Sequence, residues 1–233
     1  MKFFKYGIIL ERLKAEDIEL VRQWRNSEPV RLNMNYQLII TPEQQKQWFK
    51  TVNNLQNNYL MIYYRGEKIG LLNDKNIDWE TRISESGIFL GRSEFYSTFV
   101  PYLVSVAGIE TTFNLLGWNK QRAHILRSNV NAVSFNLQLG YELCEGQQDS
   151  DHQWFEMTWE SFVRKAGKIR KAVKAIAGKD NLSTVLFEPA DYESGIAQRF
   201  ENLLKASAHP FEREVGLEGV WYRVPEQDDS RHK

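Results

Sequence analysis

The sequence has one cysteine, Cys144, among 233 residues, so no disulfide can form within the chain, as expected in a reducing compartment. It has no excess charge, because 30 lysine and arginine residues balance 30 aspartate and glutamate residues. This balance argues against a dedicated nucleic-acid-binding protein. No apolar run approaches the ~18 residues of a membrane span, and the N-terminal segment lacks the apolar core of a signal peptide. We therefore expect a cytoplasmic protein that does not enter membranes.

Histidine is scarce as well, with four residues in the chain. They are His124, His152, His209 and His232. They are scattered and lack the spacing of metal ligands, so no metal site is predicted. Cys144 falls in an expected strand, where a buried structural cysteine is commoner than a nucleophile.

The chain does contain ample material for a packed core, since 42% of its residues are hydrophobic and 13% aromatic. Hydrophobic periodicity predicts the order β-α-α-β-β-β-α-β-α-β-β over residues 1–160. Thr41-Pro42-Glu43-Gln44 has the pattern of a capping box with proline at the first helical position. A long helix is predicted over residues 101–116 and is closed by Gly117. A later helix is expected to be capped by Asn131 and to end at Gly140.

Residues 161–233 differ in composition and are predicted to form a mainly helical C-terminal extension to a domain of residues 1–160. One helix carries an apolar stripe, and its other faces are rich in lysine and arginine. Such a basic face is either a solvated surface, which is the commoner case, or a contact for nucleic acid or acidic lipid. A short strand over Ser183–Phe187 and a helix over residues 192–207 are expected to follow.

Three local patterns occur in a fixed order within residues 7–159. They are Trp24-Arg25-Asn26 with Val30, Met34, Ile40-Thr41 and Trp48-Phe49; Thr112-Phe113-Asn114-Leu115-Leu116-Gly117-Trp118; and Asn129 with Ala132-Val133 and Leu139-Gly140-Tyr141. Together they resemble the GNAT superfamily of acyl-CoA-dependent N-acetyltransferases. The branch they are most similar to includes ribosomal-protein acetyltransferases and the amino-sugar acetyltransferase of pseudaminic acid synthesis. The resemblance implies an α+β fold with a mixed, mostly antiparallel sheet, a splayed parallel central pair and flanking helices.

This resemblance implies acetyl-CoA as co-substrate, held where the strands at residues 86–91 and 122–126 part. Unpaired backbone groups there would bind the pantetheine arm as an added strand does. The pyrophosphate would lie at the N-terminus of the following helix, and a backbone N–H near Phe89 or Leu90 would hold the oxyanion. The residues expected to contact the cofactor are Phe89, Leu90, Tyr96, Ser97, Thr98, Phe99, Val100 and Asn129.

The loop expected to bind the pyrophosphate departs from the family pattern. Its two glycine positions hold Phe99 and Pro101, and no glycine lies between Gly91 and Gly108. Glycine lets a backbone approach phosphate closely, whereas proline donates no N–H. Two interpretations stay open. Either the loop is rebuilt and still binds acetyl-CoA, or CoA binding is lost and the fold is a non-catalytic binding or regulatory module.

Three residues are candidates for proton transfer. Glu85 would be the base, because relatives often carry a glutamate on this strand; the alternative is a solvated carboxylate. Asn136 falls where many relatives have the tyrosine that protonates the thiolate. Tyr141 lies nearby, in a pattern that also suits simple core packing.

The acceptor is expected to lie beside the first two helices. The candidate substrate-binding residues are Arg25, Asn26, Arg31, Met34 and Trp48. Arginines there could hold a phosphate, and Trp48 could stack on a ring or pack in the core. The sequence therefore predicts an acetyl-CoA-dependent N-acetyltransferase for a small-molecule amine, and analogy suggests a nucleotide-linked amino sugar. A homodimer or a protein partner would bind through the extension.

Overall fold

A computed structural model describes residues 1–178, 182–206 and 210–225. The strands in these ranges are Lys2–Lys5 (β1), Ile8–Arg12 (β2), Asn58–Tyr64 (β3), Glu67–Asp78 (β4), Ile83–Leu90 (β5), Lys120–Leu126 (β6), Glu142–Leu143 (β7), His152–Met157 (β8), Ser183–Phe187 (β9), Glu212–Val215 (β10) and Val220–Val224 (β11). The α-helices are Ile18–Asn26 (α1), Glu28–Arg31 (α2), Pro42–Val52 (α3), Val100–Glu110 (α4), Val130–Leu139 (α5), Trp159–Ala177 (α6), Pro189–Glu193 (α7) and Ile196–Ala206 (α8). None of these helices is long and apolar enough to cross a membrane.

The strands form one sheet in the order β10-β11-β9-β1-β2-β3-β4-β5-β6-β8-β7. Every neighbouring pair in the described sheet is antiparallel except β5 and β6, which are parallel. This is the mixed, mostly antiparallel sheet with a central parallel pair that the resemblance implied, so the predicted fold class is confirmed. Strand β1 was not predicted.

Helices cover both faces of the sheet. Successive side chains of a strand point to opposite faces, and apolar strand residues are buried on each face. On one face, α1 packs over Met61 and Leu71 through Val21 and Trp24, and α3 packs against the same cluster through Trp48 and Phe49. On the other face, α4, α5, α6 and α8 form the main core with residues such as Leu72. We call these the α1/α3 face and the α4 face.

The C-terminal region continues the same sheet. Its strand β9 pairs with β1, and β11 pairs with β9. Phe187 and Phe200 are buried in the main core, and the Arg170 Nε donates to the buried Glu110 carboxylate at 2.9 Å. The described part of residues 161–233 thus contains three helices and three strands, which extend the sheet and the main core formed by the preceding residues. The predicted strand at Ser183–Phe187 is confirmed.

The helix boundaries confirm some predictions and correct others. The capping box is present, with the Thr41 hydroxyl accepting from the Gln44 amide at 3.2 Å. The expected cap at Asn131 is wrong, because the Asn129 Oδ1 accepts from the Ala132 amide at 3.1 Å and starts the helix earlier. The long helix leaves α-geometry at Glu110 and continues as a π-helical turn over Thr111–Leu115. The helix predicted over residues 192–207 is α8, and residue 207 lies outside the described residues.

Candidate functional site

The two parallel strands part in the middle of the sheet. They are paired only where Ile83–Glu85 run beside Lys120–Arg122. Beyond this point the remaining residues of both strands line a cavity of about 1150 Å³. The Gly91 amide donates to Ile69 of β4 at 2.8 Å. Because N–H groups alternate in direction along a strand, the Leu90 N–H points to the other side, into the opening.

The cavity is lined from both faces of the sheet. On the α4 face its lining includes Ser105, Gly108 and Thr112, and on the α1/α3 face it includes Trp48 and Tyr59. It therefore passes through the gap between β5 and β6. Such an opening can receive an extended arm within the sheet and a second molecule from the α1/α3 face.

The segment of residues 32–41 lies at the edge of the cavity and is fixed to the far strands. The side chain of Asn35 contacts the Nδ1 atoms of His124 and His152 at 3.2 and 3.1 Å. The His124 ring in turn stacks on Trp154, with 4.3 Å between ring centroids. Asn35 and His124 both line the cavity, and no sequence pattern indicated that these distant residues would meet.

Most of the residues predicted to contact the cofactor do line the cavity. They are Phe89, Leu90, Tyr96, Ser97, Thr98 and Asn129. Phe99 and Val100 do not line it, and their contact with the cofactor stays a prediction. Phe99 packs against Tyr102, with 5.6 Å between ring centroids, and Val100 is buried as the first residue of α4. The opening is not closed by the Phe99 side chain.

The glycine-free loop keeps part of its hydrogen-bonding capacity. The Thr98 hydroxyl accepts from the Val100 amide at 3.2 Å, and Pro101 has no amide hydrogen. Within the described structure, no acceptor is bonded to the amides of Ser97, Phe99 and Tyr102. Free amides at the start of a helix favour an anion. This loop could therefore hold phosphate through backbone groups without glycine.

Glu85 occupies the predicted place at the fork, as the last β5 residue paired with β6. Its carboxylate lines the cavity. It is held by the Lys75 ammonium at 2.6 Å and by the Asn76 amide nitrogen at 3.1 Å. The carboxylate is thus fixed beside the point where the two strands diverge.

Asn136 and Tyr141 both line the cavity but differ in what they can donate. The Asn136 amide nitrogen donates to the Ala132 carbonyl at 2.8 Å, and an amide cannot act as an acid. Tyr141 is buried. Burial, followed by the charge of Asp74, raises the pKa of its hydroxyl above the usual value. Tyr141 therefore keeps its proton at neutral pH and is a weaker acid than an exposed tyrosine.

Asp74 is a functional candidate that the sequence analysis missed. It lies on the α4 face, fully buried, and accepts from the Ser84 hydroxyl at 3.1 Å and from the Gln121 amide at 3.0 Å. Burial raises the pKa of its carboxyl to about 6, although these hydrogen bonds act in the opposite direction. Its burial could have been predicted, because Asp74 comes two residues after Leu72 and therefore points to the same, inward-facing side of the strand.

Of the predicted substrate-binding residues, Arg25, Met34 and Trp48 line the cavity, and Asn26 and Arg31 do not. Asn26 instead bonds the backbone of Ile40 twice, at 2.9 and 2.8 Å. The Arg31 Nη1 donates to the Gln37 carbonyl at 2.9 Å. These two side chains fix the segment of residues 32–41 and lie outside the cavity lining.

Two nitrogen-bearing side chains on the α1/α3 face lack a partner. The half-buried Arg25 guanidinium has no hydrogen bond or ion pair with any described residue, and burial lowers its pKa. Gln45, 3% exposed, has a buried Nε2 without an acceptor. Gln45 also lines the cavity and was missed by the sequence analysis. Its position could have indicated a place in the site, because Gln45 lies three residues before Trp48 and so on the same side of the helix.

No group of three or more potential metal ligands occurs within residues 1–178, 182–206 and 210–225. His209 and His232 lie outside the described residues. Cys144 follows β7 and is partly exposed, which corrects its expected place inside a strand. Burial and the charge of Glu156 raise the pKa of its thiol.

No protein-family model matches the chain, and no curated protein matches its sequence. Solved structures do match its fold. Spermidine N-acetyltransferase from Vibrio cholerae, in complex with CoA and spermine, aligns with a TM-score of 0.58 and 14% identity over 67% of this chain and 98% of that one. Aminoglycoside acetyltransferase AAC(6')-Ib, in complex with coenzyme A, aligns with a TM-score of 0.56 and 16% identity over 67% of this chain and 98% of that one. The N-acetyltransferase PseH of Campylobacter jejuni aligns with a TM-score of 0.50 and 18% identity over 65% of this chain and 98% of that one. The protein therefore has the GNAT fold, and about a third of the chain is unmatched.

Proposed function

We propose that the protein is an acetyl-CoA-dependent N-acetyltransferase acting on a small-molecule amine. The observation that carries this proposal is the opening between β5 and β6, in which the pairing stops after Glu85 and the Leu90 N–H is directed inward. An extended pantetheine arm can bind such strand edges as an added strand would. Support also comes from the three solved structures of the same fold described above, which are acetyltransferases, two of them in complex with CoA.

The loop before α4 supports binding of the CoA phosphates. The free amides of Ser97 and Tyr102 lie at the start of this helix, where the helix dipole favours negative charge. The Val100 amide is already bonded to the Thr98 hydroxyl, so this amide is not free to donate to a phosphate. We expect acetyl-CoA to bind less tightly than it would to a loop with all its amides free.

The residues at the fork support direct acyl transfer. The amine would enter from the α1/α3 face and attack the thioester carbonyl carbon, forming the new C–N bond. The Leu90 N–H would stabilise the negative charge on the carbonyl oxygen. Glu85 would accept the proton of the amine, directly or through water. As the C–S bond breaks, Tyr141 would protonate the departing thiolate.

For the acceptor, we propose a nucleotide-linked amino sugar as the first candidate. The half-buried cation of Arg25 suits a phosphate, and Trp48, in edge contact with Tyr59 at 5.0 Å between centroids, offers a surface to a ring. A chain with one cysteine fits a reducing compartment such as the cytoplasm. Binding of a second copy or of a protein partner through residues 161–233 stays a prediction.

The second candidate is a non-catalytic module that has kept the fold and lost CoA. It is favoured by one observation, the Thr98 hydroxyl bonded to the Val100 amide at the start of α4. In this case the cavity would bind another ligand, and the extension would serve for docking.

An activity assay tests the proposal. Purified protein is mixed with acetyl-CoA and a panel of amines, and free thiol is measured. We expect amine-dependent thiol release, reduced by at least tenfold in Glu85→Gln. A protein that gives no thiol release with any amine, and no saturable thermal stabilisation by acetyl-CoA, would be the module and not the enzyme.

A further inference from the structure

The charges of the cavity lining restrict the acceptor. Among the described residues that line it, Glu85 is the one carboxylate, and Lys75 already neutralises it at 2.6 Å. Asp74 lies on the α4 face and is not part of the lining. The α1/α3 face therefore offers no unpaired negative charge to a polycationic amine.

The same face offers an unpaired positive charge. The Arg25 guanidinium is half-buried and has no bond to any described residue, and burial lowers its pKa. Removing a charge from water without a partner is costly. A cation kept under these conditions, facing a cavity, is in place for an anion that the protein itself does not supply.

A second donor lies on the neighbouring helix. The Gln45 Nε2 is buried and has no acceptor, and Gln45 lines the cavity together with Arg25. Helices α1 and α3, which carry these residues, pack side by side over the same face of the sheet. Buried donors without partners are rare in folded proteins. The buried Gln45 amide nitrogen and the half-buried, unpaired Arg25 cation therefore indicate one ligand group with several acceptor oxygens.

The phosphates of acetyl-CoA do not explain these donors. The free amides that would hold them belong to the loop before α4, on the α4 face, whereas Arg25 and Gln45 lie on the α1/α3 face. The anion is therefore expected on the acceptor.

We propose that the acceptor amine also carries an anionic group, a carboxylate or a phosphate, which Arg25 and Gln45 bind. This inference rests on the acyl transfer proposed above, and it excludes polyamines. Spermine and kanamycin, which are bound in two solved structures of this fold, are polycations and would bring positive charge against Arg25. Recognition of the anion would place the amine over Glu85, at the fork.

Direct binding without acetyl-CoA tests this inference separately from catalysis. Calorimetry compares matched amines: cadaverine with lysine, which adds a carboxylate, and glucosamine with glucosamine 6-phosphate. Spermidine is included as a polycation that carries no anionic group. We expect one anionic member to bind saturably, at least tenfold tighter than its counterpart and than spermidine. Tighter binding of lysine than of cadaverine would identify the anion as a carboxylate. Tighter binding of glucosamine 6-phosphate than of glucosamine would identify it as a phosphate.

Variants assign the effect to the two donors. Arg25→Gln and Gln45→Leu are expected to abolish the preference for the anionic member. Arg25→Gln is also expected to raise Tm, because it removes a half-buried charge that has no partner. Lys46→Gln changes the same charge on an exposed residue outside the lining and is expected to bind like the wild type. The inference is overturned if no anionic amine binds, if spermidine binds as tightly, or if the preference survives in Arg25→Gln.

Discussion

Glu85 and Arg122 are the last residues paired across the parallel strands β5 and β6. The sheet opens directly after them, so the one carboxylate of the described lining stands at the point where the gap begins. Geometry and chemistry therefore coincide: the strand edges that could hold a thioester arm start beside the group that could accept the proton of an amine. The Lys75 ammonium fixes this carboxylate from the neighbouring strand.

Pro101→Ala is expected to tighten acetyl-CoA binding. Proline at the second position of α4 supplies no amide hydrogen, and alanine would add one donor where we place the phosphates. One further hydrogen bond to a charged group, at about 1.4 kcal/mol, corresponds to roughly tenfold in Kd. Calorimetric titration measures it. Pro189→Ala, at the start of the distant α7, is the matched control, and equal affinities in all three proteins would contradict the placement.

Asp74→Asn is expected to change how stability depends on pH. The carboxyl pKa is raised from 3.8 to about 6 in the folded protein, so the contribution of Asp74 is fully present below pH 4 and is lost as pH rises through 6. A rise of this size corresponds to about 3 kcal/mol. Urea unfolding at several pH values between 4 and 7.5 should show the wild type losing stability relative to the variant. A difference that does not vary with pH would refute a titrating Asp74.

Gly140→Ala is expected to lower the free energy of unfolding by about 3 kcal/mol or more. Gly140 has a φ of +101°, and a Cβ there would lie 2.6 Å from the Ser161 carbonyl oxygen and 2.7 Å from the Phe162 Cα. Gly146→Ala is the control, because its φ is +74° and nothing lies within 4 Å of a Cβ. It should cost about 1 kcal/mol. Similar losses in both variants would show that α5 and α6 do not pack closely.

A chain cut after residue 160 is expected not to fold as a monomer. It would lose Arg170, one of two buried cations that pair with Glu110, and the aromatic side chains of Phe187 and Phe200 in the main core. It would also expose the edge of β1. Removal of one buried aromatic side chain from a core costs about 3–5 kcal/mol. Circular dichroism and size-exclusion chromatography check this, and a folded, soluble fragment would show that residues 1–160 are independent.

Periodicity and capping patterns were sufficient to predict much of the fold. Thr41 and Gln44 form the predicted capping box, and Ser183–Phe187 is the predicted strand. Strand β1 escaped prediction because it has four residues, two of them lysines. Strand β10 is exposed at every residue, so it has no alternation to detect.

The candidate site was harder to predict than the fold, because its groups meet through tertiary packing. The side chains of Asn26 and Arg31 were assigned to the substrate, yet both bond the backbone of residues 37–40. The unpaired donor of Gln45 and the buried carboxyl of Asp74 depend on what surrounds them. A sequence shows only that a polar residue interrupts an apolar face.

Titration of acetyl-CoA into the wild type and into Ala123→Leu shows whether the gap between β5 and β6 binds the cofactor. Ala123 lies on β6 and lines the opening, and leucine would fill part of the gap, whereas Ala175→Leu makes the same change on an exposed helix position. We predict one saturable site in the wild type and in Ala175→Leu, and at least tenfold weaker binding in Ala123→Leu with Tm within a few degrees. No saturable binding to the wild type, or equal affinity in all three proteins, would contradict the account.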